Sequence, residues 1–274
     1  MPEPLLPLLV EADVLQDKLD SPNLLVVDLT KPETYAKGHI PGAVYLDYPL
    51  IVRMARPVGG LLPDESQLSI VLSRMGLTAE THVVAYDDEG GGKAARLLWT
   101  LEAIGHTHYS LLNGGLHVWA NEDHPLEQQA RTPQPSQYEA QVQPNRQAVV
   151  GRQFILDHLN DDKLALLDVR SPAEFTGEKL YAARGGHIPG AINIEWTEFM
   201  DQSHNLRLKG IAELRNMLEE KGFTPDKTVV AYCQTHHRSA HTWFVLKYLG
   251  YPEARGYEGS WSDWGNREET PIEV

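Results

Sequence analysis

Val229-Val-Ala-Tyr-Cys-Gln-Thr-His-His-Arg-Ser239 joins a short apolar run to a polar segment that contains the chain's only cysteine, Cys233. An identical Val-Val-Ala-Tyr run stands at Val83–Tyr86 and continues as Asp87-Asp-Glu-Gly-Gly-Gly-Lys93. Short apolar runs of this kind are typical of buried strands, and the segments after both loops have helical spacing. We therefore predict two strand-to-helix loops in matching positions, one with a thiol and a cation, the other with three carboxylates.

Further blocks recur in the same order in both halves, which indicates a tandem duplication. The first half contains Val26-Val-Asp-Leu29, Gly38-His-Ile-Pro-Gly-Ala43, Asn113-Gly-Gly-Leu-His-Val-Trp119 and Pro125-Leu-Glu127. The second contains Leu166-Leu-Asp-Val-Arg170, Gly186-His-Ile-Pro-Gly-Ala191, Glu258-Gly-Ser-Trp-Ser-Asp-Trp264 and Pro271-Ile-Glu273. Residues 128–147 are rich in Gln, Pro and Ala and are typical of a linker. We predict domains at 1–127 and 148–274, separated by that linker.

Strands and helices alternate within each half. Leu24–Asp28 and Leu164–Asp168 are further buried-strand patterns, while Ser66–Met75 and Ile211–Lys221 have helical spacing and end before glycine. Alternating strands and helices predict an α/β fold with two tandem domains, each a mainly parallel sheet with helices on both faces. In such sheets, ligands bind beyond the carboxyl ends of the strands, where both matching loops are expected.

Composition excludes several classes of function. The 274 residues have a net charge of −14, with 42% hydrophobic and 23% charged residues. This charge argues against nucleic acid and against an anionic membrane surface as partners. No targeting segment or membrane span is evident, and a single cysteine cannot form an intramolecular disulfide, so we expect a cytoplasmic protein. A duplicated chain already supplies a pair of domains, which favours a monomer.

Cys233 is a candidate nucleophile because of where it stands. The thiolate is the reactive form, and a helix N-terminus lowers the pKa of a thiol. Arg238 begins the predicted helix, and His236 and His237 add positive character when protonated. A lone cysteine is commonly a small buried hydrophobic residue, but five polar residues follow this one. The tight loop can also form a nest of backbone N–H groups for an anion.

The features shared by both halves are interpreted as architecture. His39 and His187 lie in the two Gly-His-Ile-Pro-Gly-Ala turns, and the matched tryptophans Trp119 and Trp264 are expected in the cores. Asp28 and Asp168 end matched strands, where an ion pair of Asp168 with Arg170 is expected. The acidic loop 87–89 is expected to be solvated or to face a domain interface, and Trp196 either walls the pocket or packs. Adjacent His and Cys side chains rarely converge on one zinc ion, so no metal is expected.

Together, the paired Asp…Gly-His-Ile-Pro-Gly-Ala blocks, the single cysteine loop and the closing Gly-Ser-Trp-Ser-Asp-Trp resemble the two-domain rhodanese family. That family groups thiosulfate and 3-mercaptopyruvate sulfurtransferases, and the loop is similar to a bacterial subtype with Cys-Gln-Thr-His-His-Arg. The resemblance implies an inactive first domain, with Asp87 in place of cysteine, and a catalytic second domain. It implies that Cys233 takes sulfur from thiosulfate as a persulfide and passes it to cyanide or a thiol, without a cofactor.

The loop departs from the commoner family forms Cys-Arg-Lys-Gly-Val-Thr and Cys-Gly-x-Gly-Val-Thr. Its substrate-binding lysine is missing, with Arg238 the nearest substitute, and Glu174 stands where the family has another substrate-binding arginine. The expected substrate contacts are Gln234, Thr235, His236, His237, Arg238, Arg170 and Arg184.

Three alternative functions stay open. One is a 3-mercaptopyruvate sulfurtransferase, and another is a persulfide carrier that delivers sulfur to a protein partner. The third is a phosphatase or arsenate reductase, which would need five residues between its cysteine and arginine. Only four separate Cys233 from Arg238.

Overall fold

The computed structural model describes residues 4–142 and 148–274. The chain forms two compact units. The first comprises Met1–Ile51, Pro63–Pro144 and Asp201–Leu208, and the second comprises Val52–Leu62, Asn145–Met200 and Lys209–Val274. Two short segments therefore belong to the unit opposite to the one that their place in the sequence suggests. No helix in the described ranges is long and apolar enough to span a membrane.

The first unit alternates short strands and helices. Its strands and helices are β1 (Leu9–Val10), α1 (Ala12–Gln16), β2 (Leu24–Asp28), α2 (Pro32–Lys37), β3 (Val44–Tyr45), a 3₁₀ turn (Tyr48–Ile51), α3 (Glu65–Arg74), β6 (His82–Tyr86), α4 (Gly92–Ala103), β7 (Tyr109–Leu112) and α5 (Gly115–Asn121). The hairpin strands β4 (Arg53–Ala55) and β5 (Val58–Leu61), which lie between β3 and α3 in the sequence, belong to the second unit.

The second unit repeats this order. Its elements are β8 (Val149–Val150), α6 (Arg152–His158), β9 (Leu164–Asp168), α7 (Pro172–Phe175), β10 (Ile192–Asn193), a 3₁₀ turn (Trp196–Phe199), α8 (Ile211–Glu220), β13 (Thr228–Tyr232), α9 (Arg238–Tyr248), β14 (Ala254–Tyr257) and α10 (Ser260–Trp264). Between them in the sequence, β11 (Met200–Asp201) and β12 (Arg207–Leu208) form a short two-stranded sheet, and the segment Asp201–Leu208 belongs to the first unit.

The two five-stranded sheets have the same topology. The first has the order β1-β7-β6-β2-β3, and the second, read from its other edge, has β8-β14-β13-β9-β10, all strands pairing in parallel. All five residues of β2 and of β6 are buried. Because successive side chains point to opposite faces of a strand, both faces of the first sheet are covered. The predicted α/β fold is confirmed, and strand and helix bounds agree with prediction to within one residue for the elements named above.

The helix ends follow from local chemistry. The Asp64 side chain accepts a hydrogen bond from the Gln67 amide at 2.8 Å and so caps α3. After α3 and α8, Gly76 and Gly222 adopt positive φ angles of 81° and 82°, which favour glycine at a helix end. The two glycines thus end α3 and α8 before the strands β6 and β13 begin.

The predicted linker 128–147 is described only as far as residue 142, and 143–147 lie outside the described residues. Its described part packs on the first unit. The Ser136 amide donates to the Ser73 carbonyl at 2.8 Å, and the Tyr138 amide donates to the Ser73 hydroxyl at 2.9 Å.

Candidate active site

The turns that flank the two loops are built alike. His39 stacks on Tyr35 with ring centroids 3.7 Å apart, and His187 stacks on Phe175 at 3.6 Å. Each histidine Nδ1 bonds the carbonyl of the residue on which it stacks, at 2.8 and 3.0 Å. Each histidine backbone also bridges to a glutamate, Glu127 or Glu273, near the end of its repeat. These histidines have structural partners in both repeats.

Matched tryptophans and aspartates extend this scaffold. Trp119 and Trp264 are fully buried, and their Nε1 atoms donate to the Pro125 and Pro271 carbonyls, both at 2.7 Å. At the end of β9, the buried Asp168 pairs with Arg170 at 2.6 Å, which is the expected ion pair. The two repeats therefore present their loops on equivalent frames.

Cys233 directly follows β13 and is 1% exposed. The Ser239 hydroxyl donates to its Sγ at 3.4 Å. Backbone amides of Thr235 and Ser239 also point at the sulfur. Ser239 lies in the first turn of α9, so the sulfur receives donors from both the loop and the helix start. This arrangement is the predicted nest, with the Ser239 hydroxyl as an additional donor.

Arg238 contributes the positive charge of this nest, and Glu174 orients it. The guanidinium bonds the sulfur and forms a two-pronged pair with Glu174, Nη1 to Oε2 and Nη2 to Oε1, both at 2.8 Å. Glu174 is 3% exposed. It is also the N3 residue of the capping box of α7, where the Ser171 hydroxyl donates to Oε2 at 2.9 Å. The capping box of α7 thus holds the Glu174 carboxylate in place, and this carboxylate in turn orients Arg238.

These contacts determine the charge state of the site. Burial raises the pKa of the Cys233 thiol, but the Arg238 charge, the Ser239 hydroxyl and the two amides outweigh it and bring the pKa to about 7. Burial also raises the pKa of Glu174, whereas its bonds to Arg238 and Ser171 bring the pKa down to about 2. At neutral pH, Glu174 is therefore ionised and a large share of Cys233 is the reactive thiolate.

Ser260 holds the cysteine loop from the far side. Its hydroxyl accepts from the Cys233 amide at 3.3 Å and from the His236 amide at 3.1 Å, and donates to the Tyr257 carbonyl at 2.8 Å. Its φ angle is +48°, a left-handed conformation that non-glycine residues rarely adopt. Trp261, the next residue in α10, donates its amide to the Cys233 carbonyl at 2.9 Å.

His236 belongs to the support of the thiol. It has φ +51°, is fully buried, and its Nδ1 lies 2.8 Å from the Ser239 hydroxyl. A hydroxyl has one proton to donate. When Ser239 donates it to the Cys233 sulfur, its oxygen accepts from His236 Nδ1–H. The imidazole therefore aims the hydroxyl at the thiolate.

The β4–β5 hairpin packs against the same loop. A Cβ atom on Gly60, whose φ is +73°, would lie 1.8 Å from the Thr235 carbonyl oxygen. The Gly59 amide donates to the Ser262 hydroxyl at 3.0 Å, and the Leu62 amide to Glu258 Oε2 at 2.9 Å. This close approach requires glycine at position 60 and places the hairpin directly beside Thr235 of the cysteine loop.

The remaining predicted substrate contacts divide into two groups. Arg170 is 1% exposed, bonds Asp168 and the Gly186 carbonyl, and lies 4.5 Å from the Trp261 ring centroid. Arg184 donates to the carbonyls of Thr270, Trp264 and Arg267. Both guanidinium groups are therefore bonded to structural partners and not to the thiol. Neither arginine is included in the proposed substrate site.

Gln234 and His237 remain in the loop itself. Gln234 Nε2 donates to the Tyr181 carbonyl at 3.0 Å. The His237 ring lies 6.2 Å from Trp196, which also meets His241 edge-on at 5.6 Å. His241 is fully buried, and burial, with His237 nearby, lowers its pKa to about 3. Trp196 thus packs on the face of α9 that adjoins the loop, and His241 is neutral.

The matching loop in the first unit has a carboxylate in place of the sulfur. Asp87 is fully buried, so the expectation that the acidic loop is solvated is wrong for this residue, whereas the side chains of Asp88 and Glu89 are partly exposed. One oxygen accepts from the amides of Glu89 and Gly91 at 3.0 and 2.8 Å, and the other accepts from Ala94 at 3.0 Å. The aspartate side chain therefore satisfies the amides of its own loop and occupies the place of an anionic ligand.

A comparison of the two repeats could have revealed Ser260, a residue that supports the cysteine loop and was not among the predicted site residues. Ser260 aligns with Gly115, which has a φ of +55°, and the Leu116 amide donates to the Asp87 carbonyl at 3.0 Å as Trp261 does to Cys233. A serine where the other repeat needs glycine is a visible signal. The Arg238–Glu174 pair has no such signal, because it joins side chains 64 residues apart that approach only in the folded chain.

The fold and this loop define a tandem α/β protein with one cysteine-centred anion nest, located in its second repeat. The family description for the rhodanese-like domain matches residues 11–122 and 152–267. This chain belongs to the rhodanese-like family, with two copies of its domain.

Similar proteins agree with this assignment. The chain is 45% identical to a thiosulfate sulfurtransferase of Azotobacter vinelandii, over 98% of both chains. It is 37% identical to the sulfur carrier protein TtuD of Thermus thermophilus, over 96% of this chain and 95% of that protein. A crystal structure of an anaerobic ergothioneine biosynthesis enzyme from Chlorobium limicola aligns with a TM-score of 0.86 at 24% identity, over 97% of this chain and 70% of that one. At that identity the structural likeness concerns the fold alone.

Proposed function

We propose that this protein is a thiosulfate sulfurtransferase that carries sulfur as a persulfide on Cys233. The observation that supports this most is the buried thiol whose pKa is about 7, held by Arg238, Ser239 and two amides. Such a thiol is a nucleophile at neutral pH. The full-length similarity to a thiosulfate sulfurtransferase supports the same donor. The proposed catalytic domain is residues 148–274, and the proposed non-catalytic domain is 1–127.

The reaction proceeds in two displacements. The Cys233 thiolate attacks the outer sulfur of thiosulfate, the S–S bond of thiosulfate breaks, and sulfite leaves with the bonding electron pair. The persulfide then carries the negative charge on its outer sulfur. An acceptor nucleophile, cyanide or a thiol, attacks this sulfur, and the Cys233 thiolate is released. Charge stays on sulfur throughout, so donors aimed at this position stabilise each state.

Residues around the thiol have distinct proposed roles. Arg238 and the amides of Thr235 and Ser239 stabilise the anionic sulfur, and the Ser239 hydroxyl donates to it. His236 aims that hydroxyl, while Gln234 and His237 line the loop. We further propose the cytoplasm as the compartment, because a reactive lone thiol needs a reducing environment.

The test is direct mass measurement of the intact protein. Treatment with thiosulfate is expected to add the mass of one sulfur atom, and cyanide is expected to remove it with formation of thiocyanate. Cys233→Ala is expected to show no addition. A wild-type protein that gains no sulfur under saturating thiosulfate would rule out the proposal.

A persulfide carrier that delivers sulfur to a protein partner is a second candidate, favoured by the similarity to a sulfur carrier protein. Both candidates form the same persulfide and differ in the acceptor. Steady-state turnover with cyanide, compared with single-turnover transfer to thiol proteins, separates them. The same assay with 3-mercaptopyruvate tests the remaining alternative donor.

A further inference from the structure

We infer that Glu174 tunes donor specificity: its carboxylate opposes the second negative charge of a donor such as thiosulfate, which narrows the advantage of dianionic over singly charged sulfane-sulfur donors. This inference rests on the proposed function, in which thiosulfate loads Cys233, and concerns how that donor ranks against singly charged ones at the same site. The carboxylate is held against the guanidinium of Arg238, which bonds the cysteine sulfur. It therefore acts on any anion that approaches that sulfur.

The charges around Glu174 largely cancel in pairs. Arg238 faces Glu174 through two bonds of 2.8 Å, and Arg170 is paired with Asp168 at 2.6 Å. Lys179 also lies within electrostatic range of Glu174, but it is exposed to solvent, which weakens its contribution. A donor that reaches Cys233 thus meets a thiolate and a cation whose charge is already balanced by a buried carboxylate.

Burial gives this carboxylate its effect. Glu174 is 3% exposed, so water screens its charge weakly, and its bonds to Arg238 and Ser171 keep it ionised at neutral pH. The Coulomb energy between Glu174 and a donor scales with the donor charge. The free-energy penalty for a dianion is therefore twice that for a monoanion placed in the same position.

Two donors of the same shape make this difference measurable. Thiosulfate is a dianion, and methanethiosulfonate is its analogue with one oxygen replaced by a methyl group and one charge fewer. With either donor the Cys233 thiolate attacks the outer sulfur and the donor S–S bond breaks. The products are the same Cys233 persulfide with sulfite in one case and methanesulfinate in the other, so charge and atoms balance in both.

The decisive variant is Glu174→Gln. Glutamine also serves as the N3 residue of a capping box, so the start of α7 is retained while the charge is lost. We expect kcat/KM to rise about threefold for methanethiosulfonate and about tenfold for thiosulfate, because the effect on the free energy doubles with the donor charge. A change in the nucleophilicity of Cys233 affects both donors alike and cancels in their ratio.

Ser171→Ala provides the matched control. It removes the hydroxyl that bonds Glu174 Oε2 but leaves the carboxylate charge, so the donor ratio is expected to stay at the wild-type value. Glu174→Met serves as a second uncharged variant in case the glutamine variant does not fold, and the same ratio shift is expected. Thermal unfolding of each variant is measured to establish that it is folded before its kinetics are compared with those of the wild type.

The outcomes separate the inference from the function beneath it. A thiosulfate-to-methanethiosulfonate ratio that is unchanged in both uncharged variants, with persulfide still formed, overturns the specificity role and leaves the proposed function intact. Loss of activity with both donors would show that the positioning of Arg238 by Glu174 outweighs the effect of its charge on the donor, and would also overturn the inference. If neither donor loads the wild-type protein, the proposed function fails and the inference fails with it.

Discussion

The loops after β6 and β13 occupy equivalent places in two sheets of the same topology, yet only one of them has a reactive group. In the first, the Asp87 carboxylate accepts three amides of its own loop and helix. In the second, amides of Thr235 and Ser239 point at a sulfur instead. Both repeats therefore form the nest of amides, and the residue that occupies it determines whether the loop is structural or reactive.

The same comparison extends to the backbone. Gly90 has a φ of +95° in the first loop, and His236 holds the matching left-handed position at +51°. Gly115 at +55° is likewise matched by Ser260 at +48°. Left-handed backbone costs a non-glycine residue about 1 kcal/mol or more. The second repeat carries that strain at two positions where the added side chain supports the cysteine loop.

Exchange of the central residues is expected to have the largest effect. Cys233→Asp should give a folded protein in which the carboxylate fills the nest and no sulfur is transferred, because the nucleophile is absent. Mass spectrometry after thiosulfate treatment and circular dichroism measure both properties. Retained transfer in this variant would place the reactive sulfur chemistry elsewhere in the protein.

The reciprocal change is the control for position. In Asp87→Cys on a Cys233→Ala background, the first loop gains a thiol but has Gly92 where the second has Arg238. Lys93 lies 3.3 Å from Glu89, so a carboxylate also balances that cation. We expect burial without an arginine to keep this thiol protonated and unreactive at pH 7. Rapid alkylation there would contradict the role assigned to Arg238.

Ser239→Ala is expected to have an intermediate effect. The wild-type rate of Cys233 alkylation should rise with pH up to a plateau above about 8, because the thiolate reacts and its pKa is about 7. Without the hydroxyl the pKa rises, since a donor that favours the thiolate is lost, and the profile moves to higher pH. At pH 7 we expect a rate about two- to fivefold lower, recovered at high pH, for a shift of about half a unit to one unit.

The matched position in the first loop supplies the control for that profile. Lys93→Ala alters the residue equivalent to Ser239 and should leave the alkylation profile of Cys233 unchanged. His236→Asn retains a donor near the position of Nδ1 and should stay closer to wild type than His236→Ala. Equal profiles for these two histidine variants would argue against an imidazole that aims the Ser239 hydroxyl.

The smallest effect is expected at Ser260, where two substitutions separate strain from hydrogen bonding. Ser260→Ala loses the bonds to Cys233 and His236 and keeps the strained backbone. Ser260→Gly loses the same bonds but relieves the strain, so it should be more stable than the alanine variant by about 1 kcal/mol. Both should lower persulfide formation a few-fold. Chemical denaturation compares the variants, and equal stabilities would show that the left-handed angle carries no strain.

Much of the fold could be predicted because it depends on local patterns and on repetition. The apolar runs at β2, β6, β9 and β13, the glycines after α3 and α8, and the duplicated turn motifs indicate an α/β pair directly. Part of the site followed from the same comparison, since the cysteine loop is the block in which the repeats differ. The position of Arg170 beside Asp168 was also predictable, because both residues belong to one strand end.

Other features were not accessible to sequence patterns. The exchange of the β4–β5 segment into the second unit depends on packing between residues about 200 positions apart, such as Gly59 and Ser262. Asp87 is buried although its side chain is polar. Burial is possible because amides of its own loop and helix donate hydrogen bonds to the carboxylate. Arg184 was expected at the site but bonds carbonyls 80 and 86 residues away in the sequence.

The identity and position of the reactive group follow from the amino-acid sequence alone: one thiol, at the end of a buried strand, ahead of a helix that begins with arginine. Its charge environment depends on tertiary contacts. The pKa of Cys233 depends on burial and on donors from Thr235, Arg238 and Ser239, while Glu174, 64 residues before Arg238, orients that arginine. Local periodicity follows from the chain's own geometry, whereas the electrostatics of a buried site depend on which distant charges folding brings within a few ångströms.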